Sequence, residues 1–167
     1  MRYLALAVLV FMLAGCGGSS STQPPDPNAK EVSPAGDIPD DQAFVRYAVP
    51  KAGFTVKVPE GWSRTASGGA VTFTDKLNSI TLSAQAPPAV PGAKTSSVSR
   101  RAGKAQLELY EIAGKTNPVT GKKLTDAVER YTFRRGGRLA VLTLAGPKGA
   151  DNVDPWRIVT DSVRFTG

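Results

Sequence analysis

From Phe54 to Ala145 apolar residues recur at every second position, in short runs cut by turn-forming residues, and this period of two fixes the class of fold. Phe54, Val56 and Val58 alternate with Thr55 and Lys57 until Pro59 ends the run. Val71 and Phe73 alternate with Thr72 and Thr74. Ile80, Leu82 and Ala84 alternate with Thr81, Ser83 and Gln85, and residues 75–78 join these two runs as a short hairpin loop. Residues 105–112 form a further strand candidate. Residues 128–135 and 138–145 flank Gly136-Gly137, a pair that supplies the two positive φ angles of a type I′ turn. Residues 139–144 (LAVLTL) are apolar on both faces, which predicts a central strand. One segment carries a helical period instead. Asp154 is placed to cap it, Pro155 suits its first position, and Trp156, Val159 and Val163 share a face. Arg164 and Phe165 leave it as an extended tail. The pattern predicts an α+β fold: a twisted antiparallel sheet of about six to seven strands with a C-terminal helix packed on one face.

The other end of the chain carries an address. Arg2 precedes an apolar run, residues 3–13 (YLALAVLVFML), which is too short for a permanent membrane span but suits a signal peptide. Residues 13–16 (LAGC) resemble a bacterial lipobox. Small residues at Ala14 and Gly15 admit the peptidase, and the Cys16 thiol receives diacylglycerol as a thioether, with palmitate as a typical further acyl group. Each buried methylene contributes about 0.8 kcal/mol, so two or three acyl chains anchor firmly. The expected organisation is a signal peptide over 1–15, a flexible acidic tether over 16–43 and a single domain over 44–167. The expected location is the extracytoplasmic face of the cell membrane, held by lipid at Cys16. The tether, rich in Gly, Ser, Pro and Asp, would span about 30 Å.

Charge divides along the same boundary. Residues 17–43 carry Asp26, Glu31, Asp37, Asp40 and Asp41 against Lys30, whereas residues 44–167 hold 19 Lys and Arg against 9 Asp and Glu, a net +10. Histidine is absent and Cys16 is the single cysteine. Disulfides, Cys or His metal sites and Ser-His-Asp or Cys-His catalysis are therefore excluded. No cofactor is expected, and no nucleic-acid motif accompanies the basic charge.

Residues 53–62 (GFTVKVPEGW), 70–82 (AVTFTDKLNSITL), 117–122 (NPVTGK) and the ending GADNVDPWRIVTDSVRF are similar to the Mog1/PsbP-like fold, and in particular to bacterial lipoproteins that carry it. The resemblance covers nearly the whole domain. It implies an antiparallel sheet with helices on its faces, a non-enzymatic binding or assembly role, and no catalytic residues; members of the wider fold sit on a photosystem or a small GTPase. Relatives have a helix after the third strand. Here residues 86–98 (APPAVPGAKTSSV) contain Pro87, Pro88, Pro91 and Gly92 and cannot form one. Either that layer is absent or an irregular loop replaces it, and part of a sheet face is expected to lie open to a partner.

The candidate partner contacts are basic residues clustered in sequence: Arg100, Arg101 and Lys104; Lys122 and Lys123, with Lys115 near them; Arg134, Arg135 and Arg138. Outside the cell the anions they would meet are phospholipid head groups and wall polymers. The alternative is a solvated basic surface without a dedicated partner. Asp151, Asn152 and Asp154 are a weak metal-ligand set, with turn and helix-cap chemistry the stronger reading. Residues 114–123 imitate a phosphate loop but have six residues between the glycines instead of four, and Lys123 after Lys122 where Ser or Thr is needed; they read as a surface loop. Trp62 and Trp156 read as core instead of a ligand pocket. Glu60, Glu108 and Glu129 remain as possible acids. The sequence points to a non-enzymatic, membrane-anchored module binding an envelope protein or an anionic envelope component. A structural or assembly subunit of a membrane complex is the alternative, and a carboxylate or Ser/Lys hydrolase a more remote one.

Overall fold

The structure, a computed structural model, describes residues 34–49 and 52–167. The expected signal peptide (1–15), the expected lipid-bearing Cys16 and residues 17–33 of the expected tether lie outside the described residues. The chain divides between Val32 and Ser33, and the second unit carries its own hydrophobic core. Its elements are β1 (Phe44–Ala48), β2 (Phe54–Pro59), β3 (Ser63–Ser67), β4 (Ala70–Asp75), β5 (Asn78–Ser83), β6 (Lys94–Arg100), β7 (Gly103–Thr116), β8 (Lys123–Arg135), β9 (Arg138–Pro147), α1 (Val153–Asp161) and β10 (Arg164–Phe165).

The strands form two antiparallel sheets, not the single one expected. Seven run in the order β3-β4-β5-β9-β8-β7-β6, and three in the order β1-β2-β10. β9, the strand apolar on both faces, is the middle of the seven. Gly136 and Gly137 take φ of 53° and 74° in the β8–β9 turn, as a tight I′ connection requires.

Register explains the period of two. A row through the large sheet reads Ala66, Val71, Leu82, Leu142, Tyr131, Leu107 and Ser96 from β3 to β6. Shifted by one residue, the row on the opposite face reads Thr65, Thr72, Thr81, Thr143, Arg130, Glu108 and Thr95. The first face is the core. Phe54, Val56 and Val58 of β2 and Trp156, Val159 and Val163 at the helix pack into the same cluster as Val71, Phe73, Ile80, Leu82 and Leu142. Each such side chain fully buried contributes about 1.5–3 kcal/mol. No helix among the described residues is long and apolar enough to cross a membrane.

Two expectations are corrected. The helix begins at Val153 with Asn152 in the cap position, so Asp154 lies in the first turn and Pro155 is the third helical residue. The segment read as tether to residue 43 is not free over its last part. Ile38 is buried in the core, and its backbone N–H donates to Asn152 Oδ1 at 2.8 Å. The Asn78 and Asn152 amides both donate to Gly36 O, and Asp37 Oδ1 accepts from the Asp151 N–H at 2.9 Å. Asn152 makes no side-chain cap bond because its amide is spent on holding this segment.

Residues 84–93 have the farthest to travel. They connect β5, third in the large sheet, to β6, its edge, and so pass β9, β8 and β7. The Arg130 guanidinium donates to Pro88 O at 2.9 Å, which places this proline-rich strap on the face away from the core. The absent helix is therefore replaced by an irregular strap, and from Lys94 onward the same stretch is a strand. The face is not open at its centre. Arg130 and Glu108 are buried there and joined by a 2.8 Å ion pair.

Candidate functional site

The C-terminal end of α1 meets the outward side of the small sheet. Arg46 and Lys57 face each other across β1 and β2, because the inward positions of β2 are taken by Phe54, Val56 and Val58. Arg164 stands beside Thr55 on β10. Arg157 and Asp161 come from α1, and Arg101 from the β6–β7 turn, whose N–H reaches Asp161 Oδ1 at 3.4 Å. Together with Ile158, Ser162 and Val163 these residues line a groove of about 510 Å³. Five cations thus surround one carboxylate.

One of the five has a structural task. Arg46 Nη1 donates to Thr55 Oγ1 at 2.9 Å and to Ser162 O at 3.2 Å, which satisfies a carbonyl that the helix end leaves free. The partial negative charge at that end also favours neighbouring cations. This accounts for Arg46. For Lys57, Arg101, Arg157 and Arg164, no carboxylate among the described residues lies within the 4.0 Å of an ion pair. They converge on open solvent, which is how a site for an anionic group is built.

Of the basic residues clustered in sequence, only Arg101 reaches this groove. Arg100, its neighbour, points inward. Its Nε donates to Thr160 Oγ1 at 3.2 Å and its Nη2 to Tyr131 Oη at 3.1 Å, and Tyr131 donates to Glu129 at 2.6 Å. Burial first, and then the bond to Glu129, push the Tyr131 hydroxyl up to about 12, against the lowering pull of Arg100. Arg100 is therefore a clamp between sheet and helix, not a partner contact. Arg134 and Arg135 fall on opposite faces of β8. Arg134 shares a shallow hollow with Lys104, Thr132 and Gln106, while Arg135 and Arg138 lie by the C-terminus, where Arg138 donates to Thr166 O. Lys122 and Lys123 are exposed where β8 begins, next to a loop tied by Asn117, whose Oδ1 accepts from the N–H groups of Val119 and Thr120. The surface loop expected over residues 114–123 is confined to 117–122, since Gly114, Lys115 and Thr116 belong to β7 and Lys123 opens β8.

The remaining candidates separate. Among the described residues no group of three His, Cys, Asp or Glu is placed to hold a metal ion. The reading of Asp151, Asn152 and Asp154 as ligands gives way because the Asn152 oxygen is occupied by Ile38 N–H. Trp156 is buried in the core and Trp62 packs partly against it. Glu108 and Glu129 cannot converge: Glu108 sits opposite Arg130 and Glu129 opposite Leu109, on opposite faces of the sheet. Glu60 is exposed in the turn after β2. Sequence reasoning missed Arg46, Lys57, Arg157 and Arg164 because each stands alone in the chain. The one available signal was the outward phase of Lys57 in its alternating run.

No family model matches the chain, and no curated protein matches it. A crystal structure from Bacteroides thetaiotaomicron VPI-5482 is similar in fold, with a TM-score of 0.52 and 16% identity over 73% of this chain and 48% of its own. The chain thus spans about half the length of that structure. The likeness is to an antiparallel α+β arrangement.

Proposed function

We propose that this chain is an extracytoplasmic lipoprotein, anchored through Cys16, whose domain is a non-enzymatic binding module for an anionic component of the cell envelope. The observation that carries the reading is the groove at the end of α1, where Lys57, Arg101, Arg157 and Arg164 converge from four segments without carboxylate partners among the described residues. An anion in such a groove meets several fixed cations at once, and displaces counterions from all of them. Binding of this kind is screened over about 10 Å at 0.1 M salt. The finer fold reading, a Mog1/PsbP-like domain, belongs to the same proposal and rests on the sequence segments named above.

The test is capture of envelope material on the immobilised protein at low and at high salt. The anionic reading expects recovery to fall steeply as salt rises. Recovery that is the same at both would overturn it and favour an assembly subunit held to one protein partner by apolar contact. The anchor has its own test: Cys16→Ala should move the protein out of the membrane fraction, and full retention there would contradict a lipid anchor.

A further inference from the structure

The groove's chemistry narrows the class of anion. Three of its four uncommitted cations are arginines, which stay charged at any physiological pH and pair with phosphate oxygens through two parallel N–H donors. Lys57 adds a compact fourth charge. Ile158, 43% exposed, lines the same groove, so an apolar side chain stands among the cations. Cations beside an exposed aliphatic group suit the boundary between phosphate head groups and acyl chains.

The reach of the chain points the same way. Because residues 36–38 are packed on the domain, 19 residues (17–35) lie between Cys16 and Gly36, the first residue bonded to it, instead of the 27 expected from sequence. A lipid on Cys16 would keep the domain close to the bilayer, at a high effective concentration of head groups.

We propose that the groove is a second membrane contact, binding the phosphate groups of anionic phospholipids and turning the C-terminal end of α1 toward the bilayer. This rests on the anion-binding reading above and names its ligand.

The experiment uses residues 17–167, which keep the whole packed unit and omit the lipid. Partition is measured onto vesicles of phosphatidylglycerol mixed with phosphatidylcholine and onto phosphatidylcholine alone. The wild type should prefer the anionic vesicles. Arg101→Gln, Arg157→Gln and Arg164→Gln together should lower that partition about a hundredfold, at about fivefold per cation near an anionic surface. A control triple, Lys104→Gln, Lys122→Gln and Arg134→Gln, removes the same charge elsewhere and should lower it less than about tenfold. Circular dichroism confirms that both variants fold. Equal losses in the two triples would overturn the proposal in favour of diffuse surface charge. A wild type that ignores phosphatidylglycerol but binds immobilised polyphosphate would overturn the membrane contact and leave the binding module standing. Binding to neither would remove both.

Discussion

At the scale of single residues, one polar pair is costly to break. Arg130 and Glu108 are both buried, the bond to Glu108 raises the arginine further above its already high range, and Arg130 also holds the strap through Pro88 O. Removing one partner leaves the other charged and unpaired away from water. Arg130→Ala is expected to destabilise by about 3–5 kcal/mol, whereas Arg130→Met with Glu108→Leu should cost much less, both read from denaturant midpoints. Tyr131 predicts a pH dependence. Its hydroxyl is raised from about 10 to about 12, so the neutral form is the one the fold favours. The stability it contributes is complete below pH 10 and is lost as pH rises through 12. In an ultraviolet titration, Tyr131→Phe should remove the most alkaline tyrosinate step. Neither feature was legible in sequence. Arg100 and Arg101 look alike there, and only the β6–β7 turn shows that one clamps Thr160 and Tyr131 while the other faces the groove.

At the scale of elements, the period of two located β2, β4, β5, β7, β8 and β9, because each presents alternate residues to one core. It missed β3 and β6 for a physical reason. Both are edges of the large sheet, exposed along most of their length, so SRTAS and KTSSVSR show no apolar alternation. β1 escaped because Phe44 and Tyr47, its half-buried residues, are three apart. The β8–β9 turn was legible since only glycine takes two positive φ angles cheaply. Gly136→Ala and Gly137→Ala should each destabilise by about 1–2 kcal/mol. Thermal melts of the two variants check this, and an unchanged midpoint would contradict the assigned turn.

At the scale of the whole molecule, the misplaced boundary matters most. Residues 36–38 read as tether because Gly, Ser, Pro and Asp dominate residues 17–43 without an apolar period. Yet Ile38 is a core residue and Asn152 is its anchor. Ile38→Ala should cost about 2–4 kcal/mol, and a chain starting at residue 44 should melt at a lower temperature than one starting at 34. Gly146 guards the same junction, because a Cβ there would strike the Asn78 carboxamide.

The position of β9 bears on when the molecule can exist at all. The strand at the centre of the large sheet is the ninth of ten in sequence, and it alone joins the β4–β5 hairpin to the β7–β8 hairpin. During synthesis, N-terminus first, those hairpins have no common neighbour until β9, which begins at Arg138, arrives. Until then Ile80 and Leu82 lack their β9 neighbours Leu144 and Leu142, and the cluster lacks Trp156 and Val159 of α1. Ribosome-held chains ending before residue 138 should accordingly stay open to protease, and those extended past residue 167 by a linker should resist it. A chain wired this way stays loose through most of its synthesis and locks only when its central strand is free to pair on both sides.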